Sequence, residues 1–166
     1  GLNQAETRFS PLKQIDATNV RQLGLEWSYD IRSGGGGQEA TPLAWNGTIY
    51  GITNWSIVFA VDARSGKERW RWDPEVNRTA VRPRICCGVV NRGLAIYQGL
   101  IIAPVIDGRL QALDAETGKV VWEARVAFPQ DNTRSQWRRE SPRAKSLLER
   151  AAAIGRPADS SMRTMR

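Results

Sequence analysis

A chain of 166 residues is long enough for one ordinary domain or for part of a larger one, and its 41% hydrophobic content with seven Trp indicates a packed core rather than disorder. It contains no His, which removes the commonest general base, the usual zinc sites and any Cys-x-x-Cys-His haem attachment. The net charge of +7 is unevenly placed: residues 133–166 hold nine Lys/Arg against three Asp/Glu, which leaves 15 against 14 for residues 1–132, so the basicity belongs to the tail.

No run approaches the ~18 apolar residues of a membrane-spanning helix. The sequence starts at Gly1 without Met and without an apolar leader, so a secretory signal is expected to have been removed or never included. Arg8-Phe9-Ser10-Pro11-Leu12 opens a polar leading segment, and the alternating apolar positions of residues 23–29 predict a strand. Residues 34–37 are four consecutive glycines. A phosphate-binding loop needs a helix opening directly behind it, whereas Gln38-Glu39-Ala40-Thr41-Pro42-Leu43 reads as extended, so a connector is the better reading.

From Thr41 the pattern becomes regular. Residues 43–45 and 48–53 predict two strands joined by the hairpin signal Asn46-Gly47. Residues 57–61 predict a third strand, Ser65-Gly66 a turn, and residues 68–72 a fourth.

The same layout then returns. Ala60-Val61-Asp62-Ala63-Arg64-Ser65-Gly66-Lys67-Glu68-Arg69-Trp70 matches Ala112-Leu113-Asp114-Ala115-Glu116-Thr117-Gly118-Lys119-Val120-Val121-Trp122, each position displaced by 52, and the hairpin glycines Gly47 and Gly99 are also 52 apart. A four-stranded antiparallel repeat of this length is the size of a propeller blade. The second repeat adds its own hairpin signal at Asp107-Gly108. Asp62 and Asp114 are suited to accepting from the backbone just ahead of them and holding a turn. Gly66 and Gly118 are suited to the positive φ such turns demand, and Trp70 and Trp122 offer large apolar faces for a neighbouring blade.

Between the repeats lies Arg84-Ile85-Cys86-Cys87-Gly88-Val89-Val90-Asn91-Arg92-Gly93, which holds both cysteines of the chain. Read from the residues alone, adjacent cysteines are either small buried apolar groups or a strained eight-membered disulfide ring of an oxidising compartment. Glu39 and Arg92, read the same way, are solvated surface charges as readily as site residues.

The Ala-x-Asp-x-x-Thr/Ser-Gly-x-x-x-Trp element resembles the tryptophan-docking motif of eight-bladed quinoprotein propellers. That element alone does not separate catalytic members from a non-catalytic outer-membrane assembly lipoprotein with similar repeats. Together with Arg8 to Leu12, Gln38 to Leu43 and Cys86 to Gly93, in this order and spacing, residues 5–132 resemble the amino-terminal part of pyrroloquinoline quinone (PQQ)-dependent alcohol dehydrogenases.

The resemblance implies an all-β fold, a partial eight-bladed β-propeller of between two and three blades. It implies a disulfide between Cys86 and Cys87 lying against one face of the quinone. Arg92 matches the arginine near the quinone, and Glu39 the glutamate paired with that region. The calcium or lanthanide ion of the family, its ligands and the aspartate base lie in later blades, so no catalytic or metal-binding residue is assigned and the chain alone is expected to be inactive. Further expectations are a periplasmic location, an alcohol substrate and a cytochrome-type electron acceptor. The alternatives are a non-catalytic propeller scaffold or, through the basic tail, a nucleic-acid binder with strongly salt-dependent affinity.

The resemblance stops after Asn132, dividing the chain into residues 1–132 and a basic tail of residues 133–166. The tail reads as a nucleic-acid arm, as a helical partner segment over residues 141–153, or as the product of a shifted reading frame. Displacing the frame by one nucleotide permits a third blade, with a Lys-Gly-Lys hairpin and an Ala-Tyr-Asp-Ala ending whose Asp falls at the place of Met165, 51 after Asp114. The middle bases, which largely decide apolar character, are mostly fixed in that exercise, so the shifted frame is the favoured reading.

Overall fold

The computed structural model describes residues 9–33, 36–85 and 88–127. Among the described residues, eight strands form two antiparallel four-stranded sheets. In the first, β1 (Leu43–Trp45), β2 (Thr48–Ile52), β3 (Val58–Asp62) and β4 (Glu68–Trp72) lie side by side in chain order. In the second, β5 (Ala95–Tyr97), β6 (Leu100–Pro104), β7 (Arg109–Asp114) and β8 (Val120–Arg125) do the same. A single helical turn, α1 (Arg78–Val81), followed by a 3-10 turn at Arg82–Arg84, lies between the sheets in sequence.

The repeat extends to the register. Leu43 pairs with Tyr50 in one sheet and Ala95 with Ile102 in the other, and the β-bulge between Ala60 and Val61 recurs between Ala112 and Leu113. Asn46 (φ 47°) with Gly47 (φ 69°), and Gln98 (φ 48°) with Gly99 (φ 76°), have the paired positive φ values of tight hairpins whose twist matches the strands. Each sheet is therefore one blade, and the two together are a portion of a β-propeller.

The β3–β4 and β7–β8 turns are built alike. Asp62 Oδ1 accepts from the amides of Arg64 and Ser65, and Asp114 Oδ1 from that of Thr117, while Gly66 and Gly118 take φ of 68° and 70°. Hydrogen bonds favour the charged carboxylate, so both groups are held below the usual carboxylate range: Asp62 by the Arg69 guanidinium and then Ser65, Asp114 chiefly by the Thr117 hydroxyl.

The main core lies between the blades. Tyr50, Ile52, Val58 and Ala60 of the first face Ile101, Ala103, Leu113 and Ala115 of the second, with Leu94 closing the end. Trp70 crosses the gap: its Nε1 donates to the Ala115 carbonyl at 3.0 Å, beside the Tyr50 hydroxyl, which donates to the same oxygen at 3.1 Å. A Cβ on Gly118 would lie 2.6 Å from the Trp70 ring, so the indole occupies the space a side chain would need.

Residues 23–29, expected as a strand, form none. The segment has no ladder partner among the described residues, and Leu23 and Leu25 of its alternating set are exposed. Its aromatic residues instead cover the first blade as a blade's outer strand would. Trp27 Nε1 donates to the Ala63 carbonyl at 3.2 Å over Gly66, and Tyr29 packs on Phe59 with ring centroids 5.2 Å apart. Tyr29 and Arg32 both donate to Glu68, while Arg71 donates to the Ile31 carbonyl at 2.7 Å.

Trp122 has the same place in the second blade as Trp70 in the first, and its buried indole N–H has no hydrogen-bond acceptor among the described residues. The Cys86–Cys87 pair with its expected disulfide, Arg8, Gly34 and Gly35, and the whole tail from residue 133 with its helical and shifted-frame readings, lie outside the described residues.

Candidate functional site

The segments that precede the first strand of each blade meet. Thr41 and Gly93 form an isolated parallel bridge, in which the Thr41 amide donates to the Arg92 carbonyl at 3.4 Å. Neighbouring strand-like segments lie about 4.8 Å apart, so this pairing delivers Glu39 and Arg92 to one place although they are distant in sequence. Arg92 Nη1 lies 2.8 Å from Glu39 Oε2. Their side chains are 58% and 43% exposed, so the pair faces outward and remains accessible to a ligand.

An exposed ion pair of this kind contributes at most about 1 kcal/mol to folding. It is better suited to presenting a guanidinium in a fixed direction, with five N–H donors of which a single carboxylate engages only part. That donor set fits a planar ligand bearing carboxylates or carbonyl oxygens, as PQQ does.

No helix follows the glycine loop: Gln38, Glu39 and Ala40 are irregular and Gly36 has φ 89°. The helix that a phosphate-binding loop needs directly behind it is therefore missing among the described residues. Among the described residues, no three His, Cys, Asp or Glu are grouped to hold a metal ion. These residues do not make a metal site.

The loop carrying Arg92 rests on a buried turn that sequence reasoning missed. Asn54–Ser56 form a 3-10 turn after β2 in which Trp55 (φ 58°) and Ser56 (φ 64°) adopt the left-handed conformation, costly for a bulky non-glycine residue. Both are buried, Ser56 completely. Trp55 packs with Val76 and Val105 against Val81, Val89 and Ile106, and the Arg78 guanidinium sits 5.0 Å from its ring centroid.

Ser56 Oγ accepts from the Ile106 amide at 3.0 Å and from Asn91 Nδ2 at 3.3 Å. Asn91 Nδ2 also donates to the Pro104 carbonyl at 2.8 Å, and its Oδ1 accepts from the Gly93 amide at 3.1 Å. Asn91 was visible in sequence only as a neighbour of Arg92. Ser56 gave no signal at all, because neither its burial nor its left-handed φ is written in its residue type.

Of the expected site residues, the structure thus brings Glu39 and Arg92 into contact. It places Asp62, Gly66, Trp70, Asp114, Gly118 and Trp122 on the outer strands and their turns, away from that contact.

The family described as glucose/ethanol/alcohol dehydrogenase, PQQ β-propeller domain, matches residues 1–134. The chain is 53% identical over 129 residues to quinohemoprotein alcohol dehydrogenase ADH IIB of Pseudomonas putida, covering 78% of this chain and 18% of that protein. It is 48% identical over 131 residues to 1-butanol dehydrogenase (cytochrome c) of Thauera butanivorans, covering 79% of this chain and 19% of that one. The crystal structure of quinohemoprotein alcohol dehydrogenase from Comamonas testosteroni superposes with a TM-score of 0.70 at 48% identity, over 74% of this chain and 18% of its own. The chain therefore spans less than a fifth of the length of these relatives.

Proposed function

We propose, from the premise that this chain belongs to the PQQ β-propeller family of glucose, ethanol and alcohol dehydrogenases, that it forms one wall of a PQQ site in an alcohol dehydrogenase. The observation that carries this reading is the Glu39–Arg92 contact, held where the leading edges of two blades meet. PQQ, when bound, supplies two-electron oxidation of the alcohol.

The residues of this chain bind and orient. Arg92 presents a fixed cation to the oxygens of the ligand, and Glu39 fixes the direction of the guanidinium while leaving part of its donor set for that ligand. Cys86 and Cys87, six and five residues before Arg92, are assigned to one face of the ring as a disulfide. The reading includes a periplasmic location, which an oxidising compartment would favour for such a bond. It also includes a cytochrome acceptor, since the Thauera relative is a 1-butanol dehydrogenase (cytochrome c).

The catalytic base and the ligands of a calcium or lanthanide ion are assigned to sequence beyond that matched here. Residues 1–132 are the propeller portion and the basic tail has no part in the site.

The test is titration of the purified chain with PQQ, followed by tryptophan quenching. Saturable binding that falls about tenfold on Arg92→Ala is expected, roughly the value of one charge-assisted hydrogen bond. Binding indifferent to Arg92 and Glu39 would overturn the assignment and favour a scaffold propeller. Alcohol-dependent dye reduction by this chain with PQQ and calcium is expected to be absent, and turnover would contradict the assignment of the base elsewhere.

A further inference from the structure

Arg92 is exposed and its ion pair is weak, yet its main chain is held by hydrogen bonds at its own carbonyl and at the amide that follows. Its carbonyl accepts from Thr41, and the next amide, Gly93, donates to the side chain of the residue before it, Asn91. The Asn91 carboxamide thus spans Arg92, using its oxygen on Gly93 and its nitrogen on Ser56 of the first blade and Pro104 of the second. Ser56 is the hub, since its hydroxyl also accepts from Ile106 beyond β6. The left-handed Trp55–Ser56 pair has a cost that an ordinary connection would avoid, and it delivers a buried hydroxyl to the one place from which Asn91 and Ile106 are both reached.

We propose that Asn91 and Ser56 are positioning residues that fix Arg92 and, through the Thr41–Gly93 bridge, its alignment with Glu39. The inference rests on the reading of Arg92 as a quinone-binding residue, but the geometry it predicts is measurable without ligand. A guanidinium on a loop anchored to both blades keeps its direction, and ordering that loop is not charged against ligand affinity. Without the carboxamide, Gly93 loses that acceptor and, among the described residues, the Arg92 main chain keeps the 3.4 Å bond from Thr41.

The experiment measures amide hydrogen exchange and PQQ affinity in the full chain. Asn91→Ala is expected to speed exchange at Gly93 and Thr41 by about tenfold, the scale of one lost hydrogen bond, while amides of the central strand β3 keep their protection. PQQ affinity is expected to fall by about tenfold in the same variant. Asn91→Asp retains an acceptor and is expected to restore protection at Gly93, a rescue that mere packing would not give.

Unchanged exchange at Gly93 and Thr41 in Asn91→Ala overturns the proposal. If Asn91→Ala loses protection throughout β3, Ser56→Ala decides: local loss at Gly93 and Ile106 upholds positioning, and global loss there too assigns both residues to folding and overturns it. Failure of the unaltered chain to bind PQQ would remove the quinone-site reading, while the exchange measurement would still decide whether Asn91 positions Arg92.

Discussion

The indole of Trp70 lies over Gly118, so close that a methyl group on that glycine would come within 2.6 Å of the ring, and its N–H meets the Ala115 carbonyl three residues earlier. This contact ties the blades together with one hydrogen bond and one large apolar face. Trp70→Phe is expected to cost about 1 kcal/mol through the lost bond, and Trp70→Ala about 3–5 kcal/mol. Gly118→Ala combines the penalty of a left-handed residue, about 1–2 kcal/mol, with displacement of the indole. Urea denaturation followed by tryptophan fluorescence measures all three, and a neutral Gly118→Ala would contradict the contact.

Acid is expected to weaken the fold through the turn carboxylates. Asp62 and Asp114 have folded-state pKa values below those of the unfolded chain, where Asp titrates near about 3.9. Their stabilisation is therefore fully present above that value and is lost as pH falls through the depressed folded values. Denaturation midpoints measured between neutrality and strong acid should drop on the acidic side, and Asp62→Asn with Asp114→Asn should flatten the drop. A drop of the same size in the double variant would place the acid sensitivity elsewhere.

Arg92 separates binding from folding. Its side chain is 58% exposed, so Arg92→Ala is expected to change stability by no more than about 1 kcal/mol. Arg92→Lys keeps the charge and loses the planar fork, so it should recover only part of the PQQ affinity lost in Arg92→Ala. Equal affinity in the lysine variant would reduce the role of Arg92 to that of a point charge.

The leading segment is held by side chains rather than by a ladder. Tyr29→Phe removes a donor to Glu68, whose pKa lies below the ordinary range chiefly because of that hydroxyl, with Arg32 assisting. Together with Trp27→Ala, it should raise the rate of limited proteolysis within residues 23–33 while leaving the blades resistant. Simultaneous digestion of β2 and β3 would show that the segment and the first blade open as one unit.

The blades were legible because their signals are local. Asn46-Gly47 specifies a hairpin through its own backbone preferences, and the offset of 52 exposes a second copy that supports the reading of the first. Residues 23–29 were misread because alternation reports a strand with one face buried, whereas Leu23 and Leu25 on that face are exposed and only Trp27 and Tyr29 engage the blade. The Glu39–Arg92 contact depends on a bridge between residues 52 apart, Thr41 and Gly93, and no local pattern announces such a pairing. Resemblance named the two charges; the structure shows what aligns them. The Trp55–Ser56 turn was least visible, since left-handed φ values imposed by tertiary contacts leave no mark on residue type.

The fastening between blades asks for very little: a main-chain carbonyl and a missing side chain on one side, an indole on the other. It sits at β4, at one margin of the first sheet, whereas Glu39 and Arg92 precede β1 and β5 at the opposite margins, about 14 Å away across three strand spacings. The Trp70 contact and the Glu39–Arg92 pair thus occupy opposite margins of the same sheets. A change at one margin is therefore expected to leave the other in register, as a latch is refitted without moving the hinge of the same door.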